Sequence, residues 1–371
     1  MKICIDARFI AGGDGLARYT YKLLENILKI DRQNQYIILV YKQDVGMIDF
    51  KYENYEVVGV DFVHYTVGEQ WGMWRYLNKM KPDLVHFTNF NHPIFYQGKF
   101  ITTVHDITLL FYPGRVRRKF ISQFGYKVAM HSAVMNSERM ITVTEYTKND
   151  ILKYFGGKAE NMAVVYEAIN DKFVRCEDEK YIGQVKNKYK ISAPYFVYLG
   201  QWRVHKNLVG LVEAFDKYKQ GGSNMQLVLI GKEDPRYPEV RQAIDRSKYK
   251  NDVIITGWVE EEEVPALVTG ANSYIFPSKY EGFGFTPLEA MQCGIPVASS
   301  NASCLPEVLG EAVIYFDPDN IDEMAEAMRR IVDNENLRVD LVKRGYAQVA
   351  KYSWEKMAKE TLAVYNQVLG L

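Results

Sequence analysis

"YFVYLGQWRVHKNLVGLVEAF", Tyr195–Phe215, is a strand, a loop and the start of a helix in one short run. The apolar stretch Tyr195–Leu199 stops at Gly200. Three basic side chains, Arg203, His205 and Lys206, follow in the loop. Apolar residues then recur at helical spacing from Leu208 to Phe215. A short buried-strand run that ends on glycine and gives way to a helix is the repeating unit of a parallel α/β sheet. Its place in the chain matters as much as its content, because here an earlier alternation of strands and helices begins again.

Before it, strands are expected at Lys2–Asp6, Tyr36–Tyr41, Leu84–Phe87, Phe100–Val104, Met140–Val143 and Met162–Tyr166. The helix Leu16–Lys29 has an apolar stripe at Leu16, Tyr19, Leu23, Leu24, Ile27 and Leu28. After it come Gln226–Gly231, Val253–Gly257, Ser273–Phe276, Pro296–Ser300 and Val313–Phe316, with helical patterns between nearly all of them. An amphipathic helix closes the sequence at Trp354–Leu369. The polar run Glu177–Tyr181 reads as a linker or helix start. The fold class is therefore α/β, with two tandem Rossmann-like doubly wound domains over residues 1–176 and 177–353. The carboxyl ends of their strands are expected to face a shared cleft, since open α/β sheets bind ligands there.

Composition narrows the function. The chain has 371 residues, 47% hydrophobic and 25% charged, with zero net charge, which argues against a nucleic-acid partner held by bulk charge. Residues 1–176 carry 23 Lys+Arg against 18 Asp+Glu, and residues 177–371 carry 23 against 28. That asymmetry points to an anionic partner for the first half. Cys4, Cys176, Cys293 and Cys304 form no CxxC pair and fit reduced thiols in a cytoplasmic protein. The start of the chain lacks an apolar signal region, and no apolar run approaches the ~18 residues of a bilayer span.

A second stretch, "SKYEGFGFTPLEAMQCGIP" (Ser278–Pro296), sets Glu281 and Glu289 on either side of a glycine-rich turn, Gly282-Phe283-Gly284-Phe285. Backbone N–H groups of such a turn, with the dipole of the helix that follows, suit a diphosphate. Flanking carboxylates suit sugar hydroxyls on either side of it. Glu289 also has a structural reading. Thr286 as N-cap, Pro287 at N1 and Glu289 at N3 would form a capping box, with Gly294 ending the helix.

The spacing of the two glutamates resembles the E-x7-E signature of retaining, nucleotide-sugar-dependent "group one" glycosyltransferases with the GT-B fold. The loop after Leu199 resembles that family's diphosphate motif, which implies Arg203 and Lys206 on the leaving group; His205 stands where arginine is common. "FITTVHDITLLFYPG" (Phe100–Gly114) resembles the His-Asp segment of the mannosyltransferase-like branch, which implies that His105 faces the donor sugar. His105 has a second reading as a hydrogen-bonded structural histidine, and Arg203 and Lys206 as a solvated helix start. The resemblance also implies donor contacts from Gly15, Gly282, Phe283, Gly284, Phe285 and Glu289, catalytic roles for His105, Arg203, Lys206 and Glu281, and a last helix that crosses back to the first domain.

Four further features weigh less. Gly13-x-Gly15-x-x-Arg18 lacks the third glycine of a dinucleotide fingerprint. Asp317-Pro318-Asp319 looks like a metal motif but reads as a turn and N-cap, so no metal site is expected. Arg115, Arg117, Arg118 and Lys119 precede an apolar-periodic stretch and are either a solvated face or a contact for anionic lipid. Trp71 and Trp74 read as core or as lining for an acceptor. The expectation is a retaining, metal-independent hexosyltransferase without a cofactor. Its donor would be a nucleotide-sugar, GDP-mannose by the branch it resembles. Its acceptor would be a glycan or polyprenyl-diphosphate-linked glycan of surface polysaccharide synthesis, met in the cytoplasm or at the inner membrane face. The alternatives are an NAD(P)-dependent oxidoreductase, which would bind nicotinamide and no nucleotide-sugar, and a non-catalytic protein that binds donor without turnover.

Overall fold

The computed structural model describes residues 1–13, 15–114 and 119–371, with side chains for all of these but residues 119–121. Arg115, Arg117 and Arg118 of the basic cluster thus lie outside the described residues, as does the side chain of Lys119. The chain divides into two compact units, Met1–Ala168 with Tyr352–Leu371, and Ile169–Lys351.

In the first unit the described strands are β1 (Lys2–Asp6), β2 (Gln35–Tyr41), β3 (Tyr55–Val60), β4 (Leu84–Phe87), β5 (Phe100–Val104), β6 (Arg139–Thr142) and β7 (Met162–Val164). They form one parallel sheet in the order β3-β2-β1-β4-β5-β6-β7. Strand β5 is buried at every position, so its side chains pack on both faces, as a central parallel strand requires. The helix Gly15–Ile30 buries Tyr19, Leu23, Leu24, Ile27 and Leu28 against the sheet, most of the predicted stripe. The last helix, Trp354–Leu369, returns to this unit. It is capped by Ser353, whose side chain accepts from Lys356 N–H, and it packs on the helix Gly15–Ile30. Its Tyr365 hydroxyl meets His86 Nδ1 of β4 at 2.7 Å.

The second unit holds β8 (Tyr195–Leu199), β9 (Gln226–Ile230), β10 (Val253–Gly257), β11 (Ser273–Phe276), β12 (Val297–Ser300) and β13 (Ile314–Phe316). Their order is β10-β9-β8-β11-β12-β13, again parallel. From β8 the chain builds outward through β9 and β10, then crosses to the other side of β8 and builds through β11, β12 and β13. The reversal lies between β8 and β11, and the corresponding one in the first unit lies between β1 and β4. Loops leaving the carboxyl ends of the two strands at such a reversal part in opposite directions and open a crevice.

Candidate functional site

The second unit's reversal carries the residues singled out from sequence. After β8, Gly200 adopts φ +156, and Trp202 is buried, anchoring the loop. Val204–Lys206 forms one 3-10 turn, and Asn207, at φ 54, ends it and starts the helix Leu208–Lys219. The Asn207 amide donates to Pro318 O at 2.7 Å, which fixes this left-handed corner. After β11 the chain runs beside that turn. His205 O accepts from Lys279 N–H at 2.7 Å and from the Ser278 hydroxyl at 3.2 Å. The Ser300 hydroxyl in turn donates to Ser278 O. His205 thus takes part through its backbone.

This pairing of loops brings Lys206 and Glu281 together. Lys206 Nζ lies 2.6 Å from Glu281 Oε1, with side chains 20% and 12% exposed, and 5.6 Å from the centre of the Phe276 ring. The Glu281 backbone is fixed independently: its N–H donates to Ser303 Oγ at 3.0 Å. A lysine held by a carboxylate at the mouth of a crevice keeps its charge in a set place, with one side still open to a ligand. Arg203 is less constrained. Its Nε reaches Gln201 Oε1 at 3.3 Å and its guanidinium sits 5.9 Å from the Tyr237 ring centre.

The capping box expected at Thr286 does not form. The helix is Phe285–Gln292 and its N-cap is Gly284, at φ 87 and without a side-chain cap. Thr286 lies inside the first turn, where its hydroxyl accepts from Tyr274 OH of β11 at 2.9 Å. Glycine suits 284 because its φ of 87 is one that other residues rarely adopt, and a Cβ there would also meet Leu305 Cδ2 at 2.8 Å. Glu289 is buried in the helix interior, and Gly294 at φ 72 follows its end as expected. The Phe283 side chain is core, 3% exposed, and packs 5.3 Å from the Phe285 ring, so any ligand contact by Phe283 would come from its backbone. Asp317–Asn320 is the turn and cap read from sequence. Asn320 Oδ1 accepts from Asp322 and Glu323 N–H, while Asp319 pairs with Lys279. Among the described residues no three His, Cys, Asp or Glu side chains gather as metal ligands.

In the first unit His105 follows β5. Its Nδ1 is 2.9 Å from Glu167 Oε1 and its Nε2 is 2.9 Å from Thr88 O, the residue after β4. Tyr19 packs edge-on against the ring at 4.7 Å. Burial pushes the His105 pKa down, but the Glu167 carboxylate outweighs it, and the net shift is upward. Gly15 opens the helix after β1. Trp71 is exposed and meets Trp74 edge to face at 5.7 Å, so Trp71 is not core. Sequence reasoning missed Glu167, a buried carboxylate between β7 and the second unit, and the buried ion cluster of Arg8 with Asp6 at 2.6 Å and Glu69 at 2.7 Å. A buried arginine between two acids beside the first unit's reversal has no one-dimensional signature, because its partner Glu69 lies far along the chain.

Two doubly wound units with polar side chains gathered at a sheet reversal are the architecture of the GT-B glycosyltransferases. The model of the family described as "Glycosyl transferases group 1" matches residues 183–348, and that of "Glycosyltransferase Family 4" matches residues 13–173. The group 1 match lies within the second unit and the family 4 match covers nearly all of the first, so both units of the chain are glycosyltransferase domains. It is 26% identical to O-antigen chain mannosyltransferase B of Escherichia coli over 78% of this chain and 76% of that protein. In fold it is similar to sucrose-phosphate synthase of Thermosynechococcus elongatus, with TM-score 0.77 and 18% identity over 100% of this chain and 99% of that one. It is also similar to HepE of Anabaena in complex with UDP-glucose, with TM-score 0.76 and 16% identity over 98% of this chain and 100% of that one.

Proposed function

We propose that this glycosyltransferase takes mannose from GDP-mannose and transfers it, with retention of anomeric configuration and without a divalent metal, to a lipid-carried glycan of surface polysaccharide synthesis. The observation that carries the reading is the Lys206–Glu281 pair at the reversal between β8 and β11. Cleaving a sugar–diphosphate bond builds negative charge on the leaving phosphate. Lys206, oriented by Glu281, supplies fixed positive charge to it, and the less constrained Arg203 adds a second positive charge, the part a metal plays elsewhere. Glu281 and Glu289 accept from donor hydroxyls. Gly15, Gly282, Phe283, Gly284 and Phe285 approach the donor with their backbones, and His105 serves the donor sugar from the first unit. Mannose rests on the likeness to the O-antigen mannosyltransferase. The acceptor class rests on the same relative.

Thermal unfolding with a panel of nucleotide-sugars tests it. GDP-mannose at about 100 times its dissociation constant is expected to add ~2.7 kcal/mol. A shift with UDP-glucose alone would replace the donor, and no shift with any nucleotide-sugar would refute the site. Turnover should survive EDTA, and NMR of the product should show the donor's anomeric configuration.

A further inference from the structure

Both ring nitrogens of His105 face acceptors. Nδ1 lies 2.9 Å from a carboxylate oxygen of Glu167, and Nε2 lies 2.9 Å from the carbonyl oxygen of Thr88. A neutral imidazole has one N–H and would leave one of these short contacts with two lone pairs facing each other. The imidazolium has two N–H groups and satisfies both. The carboxylate asks for the same thing. Glu167 is 1% exposed, and a buried carboxylate needs a counter-charge. From this geometry we infer that Glu167 is a positioning residue that holds His105 as an imidazolium of fixed orientation, so that His105 serves glycosyl transfer as a stationary positive charge and not as a general base. The inference rests on the proposed placing of His105 at the donor.

The neighbours agree. Asp106, next in the chain, adds negative charge and favours the imidazolium. His86 of β4 would oppose it if charged, but His86 is kept neutral: burial, helped by His105 itself, pushes its pKa down to about 3. Tyr19, packed on the ring, is held by Thr103 Oγ1 at 2.9 Å and stays protonated, because burial pushes its phenol up. Thr88 is fixed through its hydroxyl, which donates to Asp6 O at 2.7 Å, so the carbonyl that receives Nε2 does not swing. With both N–H groups occupied, His105 has no lone pair with which to take a proton. Its side chain is 19% exposed, so what it offers a ligand is a ring edge and a charge.

The test is histidine NMR on the full chain, paired with pH–rate profiles of the parent and Glu167→Gln. Glutamine keeps the shape and removes the charge. In the parent, the His105 signals, assigned with His105→Asn, should show a doubly protonated ring through neutral pH. In Glu167→Gln the titration should move down by about one unit or more, as expected on loss of an opposite charge at contact distance. The alkaline limb of kcat should move down with it, and Glu167→Asp should restore part of both shifts. A parent His105 that is neutral at pH 7, or a titration unmoved in Glu167→Gln, overturns the ion pair. A moved titration with an unmoved rate profile overturns the positioning role. The parent measurement decides the first point even if the variant does not fold. Failure to bind any nucleotide-sugar is a separate result, seen in the thermal-shift panel, and leaves the NMR outcome standing.

Discussion

Arg203 and Lys206 stand three residues apart, yet their surroundings predict different behaviour on substitution. Lys206 is in contact with Glu281, and removing it leaves a mostly buried carboxylate without its cation. Lys206→Ala should therefore lower both turnover and melting temperature. Arg203 makes one long hydrogen bond and a distant ring contact, worth well under about 1 kcal/mol together. Arg203→Ala is the cleaner probe: turnover should fall on the order of 10²–10³-fold with an unchanged melting curve. Equal activity of this variant and the parent would remove Arg203 from the site. Glu289 separates in the same manner. Its structural role as a capping-box partner is gone, because Thr286 is spoken for by Tyr274 and Gly284 occupies the N-cap. Glu289→Gln keeps the side-chain volume, so calorimetry should show donor affinity down by about tenfold, the loss of one charge-assisted hydrogen bond at ~1.4 kcal/mol. Unchanged affinity would confine Glu289 to packing.

At the scale of elements, most of the architecture was legible because parallel strands announce themselves as short apolar runs. β1, β4, β5, β10, β11 and the closing helix Trp354–Leu369 lie where the sequence puts them. β3 was not read. It is an edge strand, half-buried along most of its length, and its sequence YEVVGV mixes polar and apolar positions without a clear period. The capping box was misread for a different reason: N-cap choice turned on Tyr274 and Leu305, residues of other elements that only the fold brings near. Glu167 was invisible because a lone glutamate after a strand has no pattern; its meaning is its distance from His105. The turn at Gly284 offers a direct measurement. Its φ of 87 and the 2.8 Å approach of Leu305 Cδ2 to any Cβ act together. Gly284→Ala should cost about 1–3 kcal/mol. Chemical denaturation should show a lower midpoint at unchanged slope, and a midpoint equal to the parent's would mean that the turn relaxes freely.

Across the described residues of the whole molecule, the fully buried histidines lie in the first unit. His86 and His92 lie inside it, pushed by burial to about 3 and about 4 from the ordinary 6.5, and both are neutral in the folded state at pH 7. A depressed folded pKa contributes stability that is present above the unfolded value and is lost as pH falls toward the folded one. The loss should begin near pH 6.5 and grow toward pH 4. A shift of this size is worth on the order of 3 kcal/mol per group. His105 works the other way: its raised pKa contributes stability below 6.5 that fades as pH rises, so it offsets part of the acid loss. Carboxylates held low, such as Asp6, beside Arg8, begin to matter only below their ordinary range near 4, whereas Glu69 and Glu360, pushed up by burial, protonate above it and offset part of the acid loss. Over this acid range protonation of His86 strikes one identifiable joint. Its ring nitrogens meet Tyr365 OH at 2.7 Å and Thr103 Oγ1 at 2.9 Å, and Tyr365 belongs to the last helix. Melting temperature followed by circular dichroism between pH 7 and pH 4 should fall steadily. The variant His86→Gln, which keeps polar atoms but does not titrate, should start less stable and fall with a shallower slope. Parallel slopes for the two proteins would show that His86 does not govern acid stability and that the closing helix is held by packing against Gly15–Ile30 instead.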